Sequence, residues 1–229
     1  MKLIALETST HHLSVALWCD GTLIERAGKI PNGGSDRLLP WVNQLMAEAE
    51  MAFTDIDAIA FGAGPGGFTG LRLACGVAQG LAFGLDVPVL AVPTLEALAL
   101  AAYTKGTEHL YACLDARMNE VYCAAYQIQD GLAETIQAAM VVHPQLAIAP
   151  PGTNWIGCGD GFAAYPEMLA NSLDQVRPDF WPTAAAVARL AAPRLANGQG
   201  IDAGLALPLY VRDKVALTTE ERLARGGLK

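Results

Sequence analysis

The sequence lacks a long apolar run, an N-terminal targeting segment and a cysteine pair spaced for metal binding. Its longest apolar stretches are interrupted by Arg72, Gln79, Pro88, Pro93 and Glu96, well short of the roughly 20 residues that span a bilayer. The opening MKLIALETST has no signal-peptide core. The five cysteines form no C-x-x-C pair and leave an odd count, which is typical of reduced thiols. These absences predict a cytoplasmic protein that does not associate with a membrane.

Charged residues are also scarce, at 17% of 229 residues, against roughly 25% in an average soluble domain. Because 52% of the residues are hydrophobic, we expect another protein to cover part of the surface. The net charge of −8 repels the phosphate backbone of nucleic acids. We therefore predict no direct nucleic-acid binding by the chain alone.

The strand and helix signals of the first half recur in the second half. The first half predicts strands at 2–7, 12–18, 22–30, 56–61 and 87–92, and helices at 35–50, 69–85 and 94–103, the first of them capped by Ser35 and Asp36. The second half predicts strands at 110–117, 120–128, 132–142 and 154–159, and helices at 162–171 and 183–197. We expect an α/β protein with two similar lobes, 1–105 and 106–206. A returning strand at 207–212 joins the first lobe, and the tail at 213–229 is either a short helix or mobile.

The stretch FGAGPGGFTGLR, residues 61–72, contains the spacing G-x-G-x-x-G of dinucleotide-binding loops. A dinucleotide site needs a carboxylate where the next strand ends, but that strand ends at Val92-Pro93-Thr94. The stretch also lacks the lysine of a Walker loop. We predict a structural loop that turns a strand sharply into a helix, formed by Gly62, Gly64, Pro65, Gly66 and Gly67.

The helix after this loop carries Gly76, Gly80 and Gly84 on one ridge, since they are spaced by four residues. Each glycine costs about 1 kcal/mol against alanine in a helix interior. Close approach of another backbone would explain such a ridge. The approaching element is either a neighbour in the same lobe or a partner protein.

The helix at 35–50 carries an apolar stripe of about 160°, wider than the roughly 100° that facing one core requires. We expect some of these side chains to stay exposed for a helix-to-helix interface. A deeper core is the alternative. The stripe consists of Leu38, Leu39, Trp41, Val42, Leu45, Met46 and Ala49.

Several segments together resemble the TsaB (YeaZ) family over nearly the whole chain. They are IALETST, GAGPGGFTGLRLACGVAQGLAFG, VPTLEALA, DARMNEVYCAAY and PLYVRDKVA. The resemblance implies the duplicated two-lobe actin/sugar-kinase/Hsp70-like fold. It also implies a non-catalytic accessory subunit for making threonylcarbamoyladenosine next to the tRNA anticodon, which associates with its paralogue TsaD while TsaE joins the complex. The chain departs from many members at Glu7, where they have Asp, and at Gly67, where they have Ser.

From the resemblance and the two helices we predict a partner interface for TsaD, which would also form a homodimer when TsaD is absent. We predict no catalytic residue, no bound cofactor and no metal site. The predicted interface residues are Leu38, Leu39, Trp41, Val42, Leu45, Met46, Arg72, Gly76, Gln79, Gly80, Phe83 and Gly84.

Two enzymatic alternatives remain open. An ATP-dependent phosphotransferase of the sugar-kinase type would use Glu7 and Asp115 around Mg²⁺, although neither residue is followed by the glycine that a phosphate nest favours. A metallopeptidase would need clustered histidines. His11 and His12 are adjacent and, in a strand, would point to opposite faces, while the other two histidines stand alone. A second glycine loop, residues 157–161, predicts a tight turn, with anion binding as a lesser alternative.

Overall fold

The computed structural model describes residues 1–30, 34–166 and 173–212. These residues form two five-stranded sheets of the same topology, with helices packed on them. The first sheet has the order β3-β2-β1-β4-β5, with β1 (Lys2–Glu7), β2 (His12–Cys19), β3 (Thr22–Lys29), β4 (Ala58–Gly64) and β5 (Val89–Pro93). The second has the order β10-β9-β6-β7-β8, with β6 (His109–Arg117), β7 (Glu120–Gln129), β8 (Leu132–Val142), β9 (Trp155–Cys158) and β10 (Gln175–Arg177). In each sheet three antiparallel strands come first and two parallel strands follow. The predicted duplicated two-lobe α/β fold is confirmed.

Five helices pack on these sheets in the described part of the chain, namely α1 (Ser35–Glu48), α2 (Phe68–Leu85), α3 (Thr94–Ala102), α4 (Gly161–Ala164) and α5 (Ala184–Ala196). Helices α1 and α2 cover one face of the first sheet. Helices α3 and α5 lie between the two sheets and share one apolar core with both. Strands β1, β2 and β4 of the first sheet are therefore buried on both faces, whereas the edge strand β3 stays partly exposed.

Helix α5 crosses from the second half of the chain to the first sheet, where it packs on β1 and β2. Two side chains of that sheet accept hydrogen bonds from the first turn of α5. Ser14 Oγ accepts the Ala184 N–H at 2.7 Å, and Glu25 Oε1 accepts the Ala185 N–H at 2.9 Å. These two bonds satisfy N–H groups that a helix start leaves free. The lobe division at 105/106 remains a prediction, because α3 in turn packs on the second sheet.

A buried ion pair joins α3 to α5. Glu96 is 3% exposed, and both of its carboxylate oxygens accept hydrogen bonds from the Arg194 guanidinium. Burial raises the pKa of Glu96, and Arg194 opposes this shift. The pair fixes one helix against the other inside the core.

Three predicted elements differ in the structure. The helix predicted at 162–171 ends at Ala164, since Tyr165 has φ −135° and ψ 69°, and the stretch 167–172 lies outside the described residues. The segment 207–212 is extended but pairs with no strand, and Pro208 offers no N–H for a ladder. Helix α1 starts at Ser35 after Gly34 and has no side-chain cap, so the predicted cap is wrong. Strand β10 was not predicted, and the tail at 213–229 lies outside the described residues.

Helix α2 reaches, by length and composition alone, the range of helices that can cross a membrane. This differs from the expectation that every apolar stretch is too short. Ala74, Ala78 and Ala82 of α2 are nevertheless buried against the first sheet. Such a buried stripe is what a core helix of a globular domain also shows.

Candidate functional site

The glycine loop lies between β4 and α2 and packs against the turn that joins β1 to β2. Gly64 has a φ of +120°, which side chains rarely adopt. The Gly67 N–H donates to Ser9 O at 2.7 Å. A Cβ on Gly70 would lie 1.9 Å from Thr8 O, so only a glycine fits this contact. The loop thus holds the N-terminus of α2 against the first hairpin.

Glu7 lies behind this loop and is fully buried. Its Oε1 accepts the Ser9 N–H at 2.6 Å, while Oε2 has no hydrogen-bond partner in the part of the chain that the structure describes. A Cβ on Gly62 would lie 1.8 Å from that Oε2. Burial raises the pKa of Glu7 to about 7, and the bond from Ser9 opposes the shift. The carboxyl therefore sits in the loop's packing and does not line the cleft between the lobes.

The glycine ridge of α2 faces solvent. Gly76, Gly80 and Gly84 are exposed, and a Cβ added to any of them finds no neighbour within 4 Å among the described residues, beyond the helix's own backbone. Phe83 beside the ridge is 85% exposed. The alternative that the ridge packs on the protein's own sheet is therefore wrong. A helix that carries glycines without an internal reason presents a surface onto which another backbone can pack closely.

The apolar stripe of α1 faces inward for the most part. Leu39 remains 45% exposed, and Trp41 is half-buried with its ring against Gly28 of β3. Ala49 is partly buried against the core. The other four members of the stripe lie in the core between α1 and the first sheet, so the expectation of exposure is wrong for them. They are Leu38, Val42, Leu45 and Met46, at most 3% exposed.

Two polar side chains of α2 tie its exposed face to the segment after α5. The Arg72 guanidinium lies 3.8 Å from the centroid of the Phe68 ring, and its Nε donates to Tyr210 Oη at 3.1 Å. Gln79 Nε2 donates to Ala206 O at 3.1 Å. Arg72 and Gln79 were predicted as interface residues, and the structure adds a neighbouring segment that sequence reasoning did not connect with them.

A cleft of about 930 Å³ opens between the lobes. The first lobe contributes the β1–β2 turn and the start of α2, and the second contributes Asp115, Arg117 and Asp160. Asp160 Oδ1 accepts the Asp115 N–H at 3.0 Å, and Arg117 pairs with Asp115 at 2.9 Å. Burial raises the pKa of Asp160. Arg117 thus pairs with Asp115 at this wall of the cleft, while the Asp160 carboxylate is held by a backbone N–H of β6.

The second glycine loop packs against β6. Gly159 has a φ of +107°, and its Cβ would lie 2.3 Å from Cys113 O. A Cβ on Gly161 would lie 2.8 Å from Cys113 Sγ. Close packing explains these glycines, in agreement with the predicted tight turn.

The adjacent histidines do not point apart as predicted, because His11 precedes β2 instead of lying in it. The His11 and His12 ring centroids are 4.4 Å apart, and His12 stacks on Trp181 at 3.8 Å. Burial lowers the pKa of His12 to about 4. Among the described residues, no group of three or more His, Cys, Asp or Glu side chains could hold a metal ion.

Some residues of this region carried no sequence signal. Thr8, Ser9 and Trp181 act through contacts with segments that are distant in sequence. Leu205 and Leu207 lie beside α2. The sequence predicted a returning strand from residue 207 but gave no indication that this segment contacts α2.

Comparison with known proteins identifies the chain. A family model described as TsaD, tRNA N6-adenosine threonylcarbamoyltransferase, matches residues 33–216. The tRNA threonylcarbamoyladenosine biosynthesis protein TsaB of Escherichia coli is 34% identical over 223 residues, covering 94% of this chain and 96% of that protein. The Haemophilus influenzae TsaB is 32% identical over 225 residues, covering 94% and 95%. The structure of YeaZ from Pseudomonas aeruginosa is 42% identical, with a TM-score of 0.87 over 91% of this chain and 99% of that one. The chain therefore belongs to the TsaB family, which is also called YeaZ.

Proposed function

We propose that this protein is a non-catalytic scaffold subunit of tRNA threonylcarbamoyladenosine biosynthesis. Its relatives are described as proteins of that biosynthesis, and the matching family model is that of the transferase TsaD. In this proposal the chain works in the cytoplasm, binds a TsaD-family subunit, is joined by TsaE and forms a homodimer when TsaD is absent.

The observation that carries the proposal is the exposed glycine ridge of α2. Gly76, Gly80 and Gly84 together cost the isolated chain about 3 kcal/mol of helix propensity, and no contact within the described part of the chain offsets that cost. A partner helix that packs closely on the ridge would offset it. Among the predicted interface residues, the exposed ones on α2 and Leu39 on α1 remain available for this contact.

The phosphotransferase alternative receives less support. It requires Glu7 beside the metal, but Glu7 is buried and does not line the cleft, whereas Asp115 does. Titration of the purified chain with Mg-ATP tests this alternative, since a competent kinase binds at micromolar to millimolar concentrations. Saturable binding that Asp115→Ala abolishes would favour the kinase over the scaffold.

Reconstitution tests the function directly. Threonylcarbamoyl transfer to tRNA is measured with TsaD, TsaE and a supply of threonylcarbamoyl-adenylate, with and without this chain. We expect modification only when all components are present. Transfer by this chain without TsaD would mean that it is a catalyst, and full transfer without this chain would contradict the proposal.

Substitution on the ridge tests the docking surface. Gly80→Leu places a side chain where a partner backbone would approach, and overpacking of this kind costs about 1–3 kcal/mol, so TsaD binding should weaken roughly tenfold or more. Gly80→Ala is the matched control and should weaken binding less. Calorimetric titration measures both, and thermal unfolding checks that the fold is intact. Unchanged binding by Gly80→Leu would contradict the role of the ridge.

A further inference from the structure

An extended segment after α5 runs beside the exposed face of α2. We call residues Leu205–Arg212 the strap. Leu205 and Leu207 are 68% and 71% exposed, while Ala206 between them is fully buried. Leu205 ends a short 3-10 helix, Ala203–Leu205, and Ala206 after it has an extended backbone. The strap thus exposes Leu205, Leu207 and Leu209 to solvent on either side of the buried Ala206.

The strap is held to the protein along its length. Ala206 O accepts hydrogen bonds from Gln79 Nε2 and Cys75 Sγ, and the Leu209 N–H donates to Ala63 O at 2.7 Å. At its far end Arg212 donates to Ala116 O at 3.1 Å and pairs with Glu120 of β7. The exposed leucines therefore lie on a backbone that is already fixed. Binding of a partner costs little conformational entropy of the strap for this reason.

The strap and α2 form one continuous surface. The Phe68 and Tyr210 ring centroids are 5.9 Å apart, and Arg72 contacts both side chains. The charged residues of α2 and the strap are Arg72 and Arg212, so this surface is poor in charge although the chain carries 23 acidic residues. Depletion of charge is the compositional mark of the core of a protein interface.

The glycine ridge needs a flank of this kind. A specific interface buries about 800 Å² on each partner. Three glycines offer close approach but almost no side-chain area, and Phe83 alone adds at most about 200 Å². The leucines of the strap supply apolar area directly beside the ridge.

We propose that the strap is the second part of the surface that binds the TsaD-family subunit, with Leu205 and Leu207 packed against apolar side chains of that subunit. This inference rests on the proposed function. The occupant follows from the match to the TsaD family model, which covers both α2 and the strap. A TsaD-family protein is therefore similar to this chain over both segments, and in the proposal its corresponding face packs against this one.

The test replaces Leu207 with aspartate in the full chain and measures binding to a purified TsaD-family protein by calorimetric titration. Because the side chain is 71% exposed, Leu207→Asp should fold normally, which thermal unfolding checks. We expect at least about tenfold weaker binding, since a charge in an apolar contact is desolvated without a partner. Leu205→Asp should act in the same direction.

Leu146→Asp is the matched control. Leu146 is 64% exposed and ends a short 3-10 helix in the second lobe, as Leu205 does beside α2. It should leave binding within about twofold of the unsubstituted chain. Equal effects of Leu207→Asp and Leu146→Asp would overturn the strap proposal.

Gly80→Leu separates this inference from the proposed function. If Gly80→Leu weakens binding and Leu207→Asp does not, the strap proposal fails and the docking function stands. If neither variant changes binding, the docking surface itself is wrong. If Leu207→Asp abolishes self-association of the chain but leaves TsaD binding unchanged, the strap binds a second copy and the proposed occupant is overturned.

Discussion

Replacement of Glu7 by glutamine should remove one pH-dependent part of the protein's stability. The fully buried carboxyl has a pKa of about 7, raised from an ordinary value of 4.5, because burial disfavours its charged form. Glutamine has nearly the same shape as the protonated carboxyl, and its oxygen can still accept the Ser9 N–H. Glu7→Gln therefore mimics the neutral form at every pH.

The direction of this pH dependence is set by whether the folded or the unfolded state binds the Glu7 proton more tightly. A raised pKa means that the folded protein holds the proton of Glu7 where the unfolded chain has already released it. The contribution of Glu7 to the free energy of unfolding is then highest below pH 4.5, falls as the pH rises to about 7 and is constant above that value. Between pH 5 and pH 8 the loss attributable to Glu7 is about 2.5 kcal/mol.

Urea unfolding of the wild type and of Glu7→Gln at pH 5, 6, 7 and 8 measures this loss. The difference in unfolding free energy should shift in favour of the variant by about 2.5 kcal/mol across the range. Glu134→Gln, a change at an exposed position of β8, should show no such trend. A shift below about 0.5 kcal/mol, the scale of error in such extrapolations, would refute the reasoning.

Two further predictions concern packing. Gly70→Ala should destabilise the fold by roughly 1–3 kcal/mol because its Cβ meets Thr8 O. Gly76→Ala has open space around it and should stabilise the isolated chain by up to about 1 kcal/mol. Urea unfolding compares the two variants, and equal effects would contradict the packing described. Arg194→Met should cost about 3 kcal/mol at pH 8 because it leaves buried Glu96 unpaired, and less at pH 5, where Glu96 can take up a proton; an equal loss at both pH values would contradict this account.

The second hairpin of each lobe, β2–β3 and β7–β8, was predictable because its turn depends on local chemistry. Asp20-Gly21 and Asp130-Gly131 all have positive φ in the structure, as two-residue hairpin turns of this type require. Strand β10 was missed because three residues carry no periodicity, and it forms only through parallel pairing with β9. The short α4 was predicted too long because the stop signal of Pro166 was overlooked: a proline disfavours helical backbone at the residue before it, here Tyr165.

The candidate site shows the same division. The four-residue spacing of Gly76, Gly80 and Gly84 predicted that they share one face, but spacing cannot say what lies opposite that face. The same limit applied to α1, where most of the wide stripe proved to be core. The strap could not be connected with α2 from sequence, because Gln79 and Ala206 are 127 residues apart.

By itself the sequence determined the order of strands and helices, the duplication of the two halves and the family, because turn chemistry, apolar periodicity and motif identity are written in neighbouring residues. The tertiary structure alone decided which helix faces are covered, that α5 returns to the first sheet, that Glu7 is enclosed by the glycine loop and that the strap flanks α2. These features depend on contacts between segments that are distant in sequence. The burial that raises the pKa of Glu7 and the open space around Gly80 exist only once those segments have packed together.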